Sequence, residues 1–321
     1  MEQETAGGKP FRIIEYTFYN HCGLRAGWRL LIYAGFILLL VLLGGIAAKH
    51  LGGPAKGPQS SAMVQTAFQV AGEFVFFLVF LLLAWIMSKI EHRRVSEYGL
   101  PLRKSAFSDF VAGYFLWGFL PLSCLLLFLR LLHVFYFGSL SALNLQIFAW
   151  AALWWLFFLF VGLFEEYSFR GYVLHTLAEG IGFWPAALIL AVGFARVHMG
   201  NSGETRIGII ATGFFALFAA ATLWRTGNLW LAVGAHAGWD WGQSFIYGVS
   251  DSGFQSPGHL LNPHIQGPDW LTGGTVGPEG SVASLILWAL MTIAMIYFYR
   301  RRSEPALNIA VQESLLPPGN V

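Results

Sequence analysis

The chain has 321 residues, of which 56% are hydrophobic and 11% charged, with a mean hydropathy of +0.60 and a formal net charge of +2. Soluble domains carry about 25% charged residues, so the composition is that of a polytopic membrane protein and the lipid bilayer is its first partner. The small net charge gives no reason to expect nucleic acid, and with Cys124 in an apolar run the two cysteines, Cys22 and Cys124, imply no disulfide framework.

A membrane span takes about 20 mostly apolar residues. In chain order the apolar runs fall at 28–48, 68–87, 107–134, 145–165 (extending as far as 179), 183–198, 207–224, 229–249 and 282–299. They predict an all-α bundle of about eight transmembrane helices. Residues 1–27 are polar for too long to be a signal peptide and are expected to form a cytoplasmic segment. The bundle is expected over 28–299, with its catalytic core at 145–249. Pro121, inside the third run, predicts a kink. Residues 250–281 contain no Lys or Arg and are rich in turn-forming Gly and Pro, so they read as a long external loop. Residues 300–321 are expected to be a cytoplasmic tail.

Cytoplasmic segments are enriched in Lys and Arg. With the N-terminus inside and eight spans alternating, the inner segments hold 14 of the 19 basic residues and the outer ones 5. That split predicts an even number of spans with both termini in the cytoplasm, in a cell (inner) membrane.

The ionisable residues inside these runs are the candidate functional groups, because a charge in lipid is costly. The stretch FEEYSFRG, residues 164–171, follows the apolar run at 147–163. Glu166 and Arg170 are four apart and share a helix face, which predicts a structural ion pair. Glu165 points about 100° away and has no partner in its own helix. Two other runs bring His198 and the pair His236 and Asp240, which are also four apart. The turn near Ile181 lies between Glu165 and His198, so an antiparallel hairpin puts both at one depth, roughly 25 Å from the turn. The four groups can therefore converge on one polar site. The small residues flanking His236 would allow close helix packing and leave room for a substrate backbone. Two histidines and a carboxylate match a zinc site formed by Glu165, His198 and His236 with an open position for water. The same set also matches metal-free hydrolysis with Glu165 as base on water. Both alternatives imply hydrolysis of an acyl bond.

The segment EEYSFRG resembles the EExxxR motif of the CPBP intramembrane proteases, which include the CAAX prenyl endopeptidases and the bacteriocin-processing or immunity proteins of the Abi group. FARVH, at 194–198, resembles the second motif of that family, FxxxH. HAGWD, at 236–240, resembles the third, HxxxN or HxxxD. The resemblance implies a membrane endopeptidase acting on membrane-associated or prenyl-like peptides. In it Glu165, His198, His236 and Asp240 are catalytic, and Glu166, Arg170 and Phe194 support them. Asp240 stands where the prenyl-protease branch has Asn, and an ionised Asp cannot donate to an oxyanion. Two other readings remain at this level. One is a non-catalytic immunity or regulatory protein that keeps the protease fold. The other is a rhomboid-like serine protease using Ser202, in a GxSG pattern, with His236.

Overall fold

A computed structural model describes residues 17–20, 23–51 and 61–300. Cys22, most of the N-terminal segment and all of the tail after Arg300 lie outside the described residues. The helices used below are α1 (Ala26–Leu51), α2 (Ala62–Ile90), α3 (Lys104–Ala112), α4 (Leu120–Leu131), α5 (Leu145–Arg170), α6 (Tyr172–Ile181), α7 (Phe183–His198), α8 (Arg206–Thr226), α9 (Trp230–Trp241) and α10 (Val282–Phe298).

Among the described residues, five helical stretches are long and apolar enough to cross a membrane: Ala26–Gly44, Ala62–Ile90, Lys104–Leu131, Leu145–Ile181 and Arg206–Thr226. Two shorter apolar helices, α7 and α10, complete an all-α membrane bundle. The remaining expected segment, 229–249, has a different form. It is the 12-residue helix α9, continued by a π-helical turn at Gly242–Ile246, and Leu231–Asp240 are buried without a break. Its surroundings are therefore other helices.

Glycine is what allows that burial. A Cβ on Gly234 would stand 2.1 Å from the Phe110 carbonyl oxygen, and one on Gly238 would stand 2.2 Å from that of Tyr114. From the facing side, a Cβ on Gly113 or Gly118 would come within 2.2 and 2.3 Å of the carbonyl oxygens of Leu231 and Ala235. Small residues four apart let two backbones touch. These glycines are consumed by contact with α3 and the segment after it, which corrects the expectation that they leave room for a substrate.

The bend expected at Pro121 takes a specific form. Residues Gly113–Phe119 are π-helical, and α4 begins immediately afterwards with Pro121 in its first turn. Proline lacks the N–H that an α-helix interior would use, and a widened turn before it absorbs the mismatch.

Helices α2 and α5 run in the same direction and pack through aromatic rings: Phe74 on Phe160, Phe76 on Phe164 and Phe77 on Tyr167. At the helix ends, Arg29 of α1 pairs with Glu91 at 2.7 Å and with Glu179 of α6, while Tyr172 donates to Glu91 at 2.5 Å. These contacts account for a buried arginine near a membrane face, since a buried charge has to be paired.

The stretch expected to be a plain loop contains a strand. Residues Leu261–Ile265 (β2) pair antiparallel with Phe135–Leu140 (β1), with Phe135 opposite Ile265 and Leu140 opposite Leu261. The two strands are more than 120 residues apart in sequence, and neither carries an apolar alternation long enough to announce itself.

Candidate active site

Helix α5 starts from Asn144, whose side chain accepts from the Ile147 amide, and ends at Arg170. Gly171 then ends the helix by turning to ψ −118°, and glycine is required there because a Cβ would lie 2.4 Å from the Tyr167 carbonyl oxygen. The charged triplet Glu165, Glu166 and Arg170 therefore occupies the last turns of α5, inside the bundle.

Glu166 is fully buried. Its Oε1 faces His236 Nδ1 at 2.9 Å, and Arg170 Nη1 lies 3.4 Å from each of its carboxylate oxygens. The Arg170 guanidinium also sits 4.3 Å from the centre of the Phe194 ring. Glu166 thus has a second partner that i,i+4 spacing does not show: it orients an imidazole on another helix. Phe194 has two functions. Its ring lies under Arg170, and its carbonyl oxygen is 2.8 Å from His198 Nδ1.

A carbonyl can only accept, so His198 carries its proton on Nδ1 and presents a bare Nε2 when neutral. His236 holds its Nδ1 proton toward Glu166 in the same way. The two Nε2 atoms come from different helices, and each lies 3.8 Å from Glu165 Oε2. Asp240 Oδ2 is 3.3 Å from His236 Nε2. That contact is attractive only with a proton between the two atoms, because a bare imidazole nitrogen and a carboxylate are both acceptors.

These groups line a cavity of about 280 Å³, with apolar walls that include Phe157, Phe158, Phe215 and Trp288. All four residues expected to be catalytic reach it. Ser202 does not; it is exposed in the turn after α7. Among the described residues, no three His, Cys, Asp or Glu side chains gather so as to hold a metal ion.

The cavity has further acidic lining that the sequence reading missed. Glu73 comes from α2, and Asp251 and Glu279 come from the two ends of the long loop. Glu279 ties those ends together. Its Oε1 accepts from the Ser252 amide at 2.6 Å, and its Oε2 accepts from Gln243 Nε2 at 3.1 Å. Ser244 Oγ donates to Asp251 at 3.1 Å. The loop therefore forms a wall of the cavity as well as a connection. Burial pushes the Asp251 carboxyl up to about 6, although hydrogen bonds from Glu279 and Ser244 oppose the shift. Burial and the neighbouring Asp251 push Glu279 up as well. Glu73 was legible by the rule that exposed Glu165, as a lone carboxylate in an apolar span. Asp251 and Glu279 carry no such signal, since acids are ordinary in a loop.

Fold and cavity together define a polytopic helical membrane protein with a buried carboxylate–imidazole site. A family model described as type II CAAX prenyl endopeptidase, Rce1-like, matches residues 147–242. That stretch, under a third of the chain, contains all three motifs and agrees with the family they resemble. The matched stretch is similar to that of CAAX-type membrane endopeptidases. No curated protein and no solved structure was found to match the chain.

Proposed function

We propose that this protein is an intramembrane endopeptidase that hydrolyses a peptide bond of a membrane-associated substrate, with Glu165 as the base. The observation that carries this reading is the pair of imidazole Nε2 atoms, each 3.8 Å from one Glu165 oxygen at the cavity wall. A water between these groups gives one proton to Glu165 while the bare Nε2 of His198 holds its second hydrogen. The hydroxide oxygen bonds to the scissile carbonyl carbon. His236, protonated on both nitrogens between Glu166 and Asp240, donates to the developing oxyanion. The C–N bond then breaks, and Glu165 returns its proton to the leaving amine. Asp240 holds the proton on His236 and does not itself face the oxyanion as an anion. This difference from the Asn of the prenyl-protease branch makes a prenylated C-terminal peptide only one member of the candidate substrate class.

The test is proteolysis of model peptides by the purified protein in detergent, beside its Glu165→Ala variant. Cleavage by the first and a loss of about 100-fold or more in the second is expected. No cleavage by either would favour the non-catalytic regulatory reading. Zinc and other divalent metals are measured in the same preparation, because a stoichiometric ion would move Glu165, His198 and His236 into the role of ligands.

In this reading both termini are cytoplasmic, in the inner membrane, and the loop at 250–281 faces outward. A cysteine replacing the exposed Phe254, in a background lacking Cys22 and Cys124, should then react with a membrane-impermeant maleimide on intact cells. Reaction only after lysis would reverse the orientation.

A further inference from the structure

Helix α2 is one of the long apolar spans of the bundle, yet it carries one carboxylate, Glu73. An ionisable side chain in such a helix is costly and is retained for a reason. Glu73 does not turn outward. It is half-buried and, with Gln69 one turn before it, lines the same cavity as Glu165. Among the described residues its carboxylate makes no hydrogen bond or ion pair, and the charge that acts on it is the like charge of Glu165, which repels it. The cavity cannot supply the missing counter-charge. Its ionisable lining is five carboxylates and the imidazoles of His198 and His236, with no Lys or Arg. His236 is already committed to Glu166 and Asp240, and His198 to Glu165. A ligand that brings a positive charge into the cavity would therefore meet an unpaired carboxyl group at Glu73.

The geometry points to Glu73 as a specificity-determining residue that receives a cationic nitrogen of the substrate peptide, an ammonium or guanidinium, while Glu165 acts on the bond being cleaved. This rests on the peptidase reading. A peptide carboxy terminus beside Glu73 would meet a carboxyl group and no Lys or Arg, so this end of the cavity suits a basic segment better than an acidic chain end. Two sources of the cation share this chemistry, a Lys or Arg side chain and a free amino terminus.

The experiment uses the full-length protein in nanodiscs and a cleavable peptide with one lysine walked through the positions flanking the scissile bond. Each peptide is compared with its norleucine counterpart, and every pair is made with a free and an acetylated amino terminus. At one position the wild type should show KM about tenfold lower for lysine than for norleucine, the effect of a hydrogen bond to a charged group. Glu73→Gln should bring that ratio close to one, and Glu73→Asp should keep part of it. If lysine and norleucine are alike but acetylation raises KM about tenfold in the wild type and not in Glu73→Gln, the amino terminus is the recognised cation. The inference is overturned if neither the exchange of lysine for norleucine at any position nor acetylation of the amino terminus changes KM in the wild type, or if Glu73→Gln leaves the change as it is. Should the wild type cleave nothing, the peptidase reading fails, and anisotropy of the labelled peptides decides the charge question. Lysine-selective binding that disappears in Glu73→Gln upholds it, and binding indifferent to either change overturns it.

Discussion

Glu166 of α5 and His236 of α9 are 70 residues apart and meet through Oε1 and Nδ1 at 2.9 Å, both of them buried. This contact joins the first and third motifs. It makes the Glu166–Arg170 pair the foundation of an imidazole's orientation. Arg170 supplies the positive charge that lets Glu166 stay ionised beside His236, and the Phe194 ring closes the other face of the guanidinium.

Arg170→Ala should therefore destabilise the protein more than a surface ion pair would. Removing one partner of a fully buried pair leaves the other uncompensated, at a cost of about 3 kcal/mol or more. Thermal unfolding in detergent measures it. The double variant Arg170→Met with Glu166→Gln should recover much of the loss, since no unpaired charge remains. Cleavage should stay low in that double variant, because the glutamine cannot hold the His236 proton as a carboxylate does. Equal stability of Arg170→Ala and the wild type would remove the pair from this role.

The contact between Gly238 and the Tyr114 backbone gives a second expectation. A Cβ at Gly238 would be 2.2 Å from that carbonyl oxygen, and a backbone atom cannot swing aside as a side chain can. Gly238→Ala should thus push α9 away from the π-helical segment and cost about 1–3 kcal/mol. Gly72→Ala is the control, because nothing lies within 4 Å of its Cβ position. Similar unfolding temperatures for the two variants would mean that the helices are not in backbone contact.

Much of this architecture can be read from the chain because lipid makes polarity conspicuous. Glu165, Glu166 and Arg170 stand out behind an apolar run, and the turn at Ile181 lets a sequence count set Glu165 and His198 at one depth. The same rule exposes Glu73, but a single acid in a long span is easily passed over when no motif surrounds it. The nature of α9 is less legible. Its hydrophobicity suits a span, and only the glycines at 234 and 238, matched with those at 113 and 118, mark it as a helix that touches other backbones. The wall made by Asp251 and Glu279 has no local signature. It depends on Gln243 reaching the Ser250 carbonyl and Glu279 across the folded structure, and no spacing in the sequence encodes that.

The acidic wall predicts a pH dependence. Asp251 has a folded-state value of about 6, above its ordinary 3.8, with burial as the main cause. A carboxyl with a raised folded value favours folding when protonated. Its contribution is full below about pH 4 and is lost as the pH rises through about 6, by of order 3 kcal/mol for a shift of this size. The unfolding temperature of Asp251→Asn, taken relative to wild type, should therefore rise between pH 4 and pH 7, because asparagine stays neutral throughout. A difference between the two proteins that is flat over that range would show that Asp251 does not titrate in the folded state.

Asp240→Asn is the most informative single change at the reacting centre. Asp240 Oδ2 lies 3.3 Å from His236 Nε2, an arrangement that needs one shared proton. Asparagine brings its own N–H, so it can donate toward the oxyanion whether or not a proton is shared, although it no longer helps to keep His236 positively charged. Cleavage should fall by about tenfold, far less than the loss on removing Glu165, because a neutral hydrogen bond replaces a charge-assisted one. Asp240→Ala, which provides neither charge nor donor, should fall further and approach the Glu165→Ala level. The metal content of the purified protein should be the same in wild type and Asp240→Asn. If cleavage and a bound metal disappear together in Asp240→Asn, the carboxylate is a ligand and the proton-sharing role assigned to it is wrong.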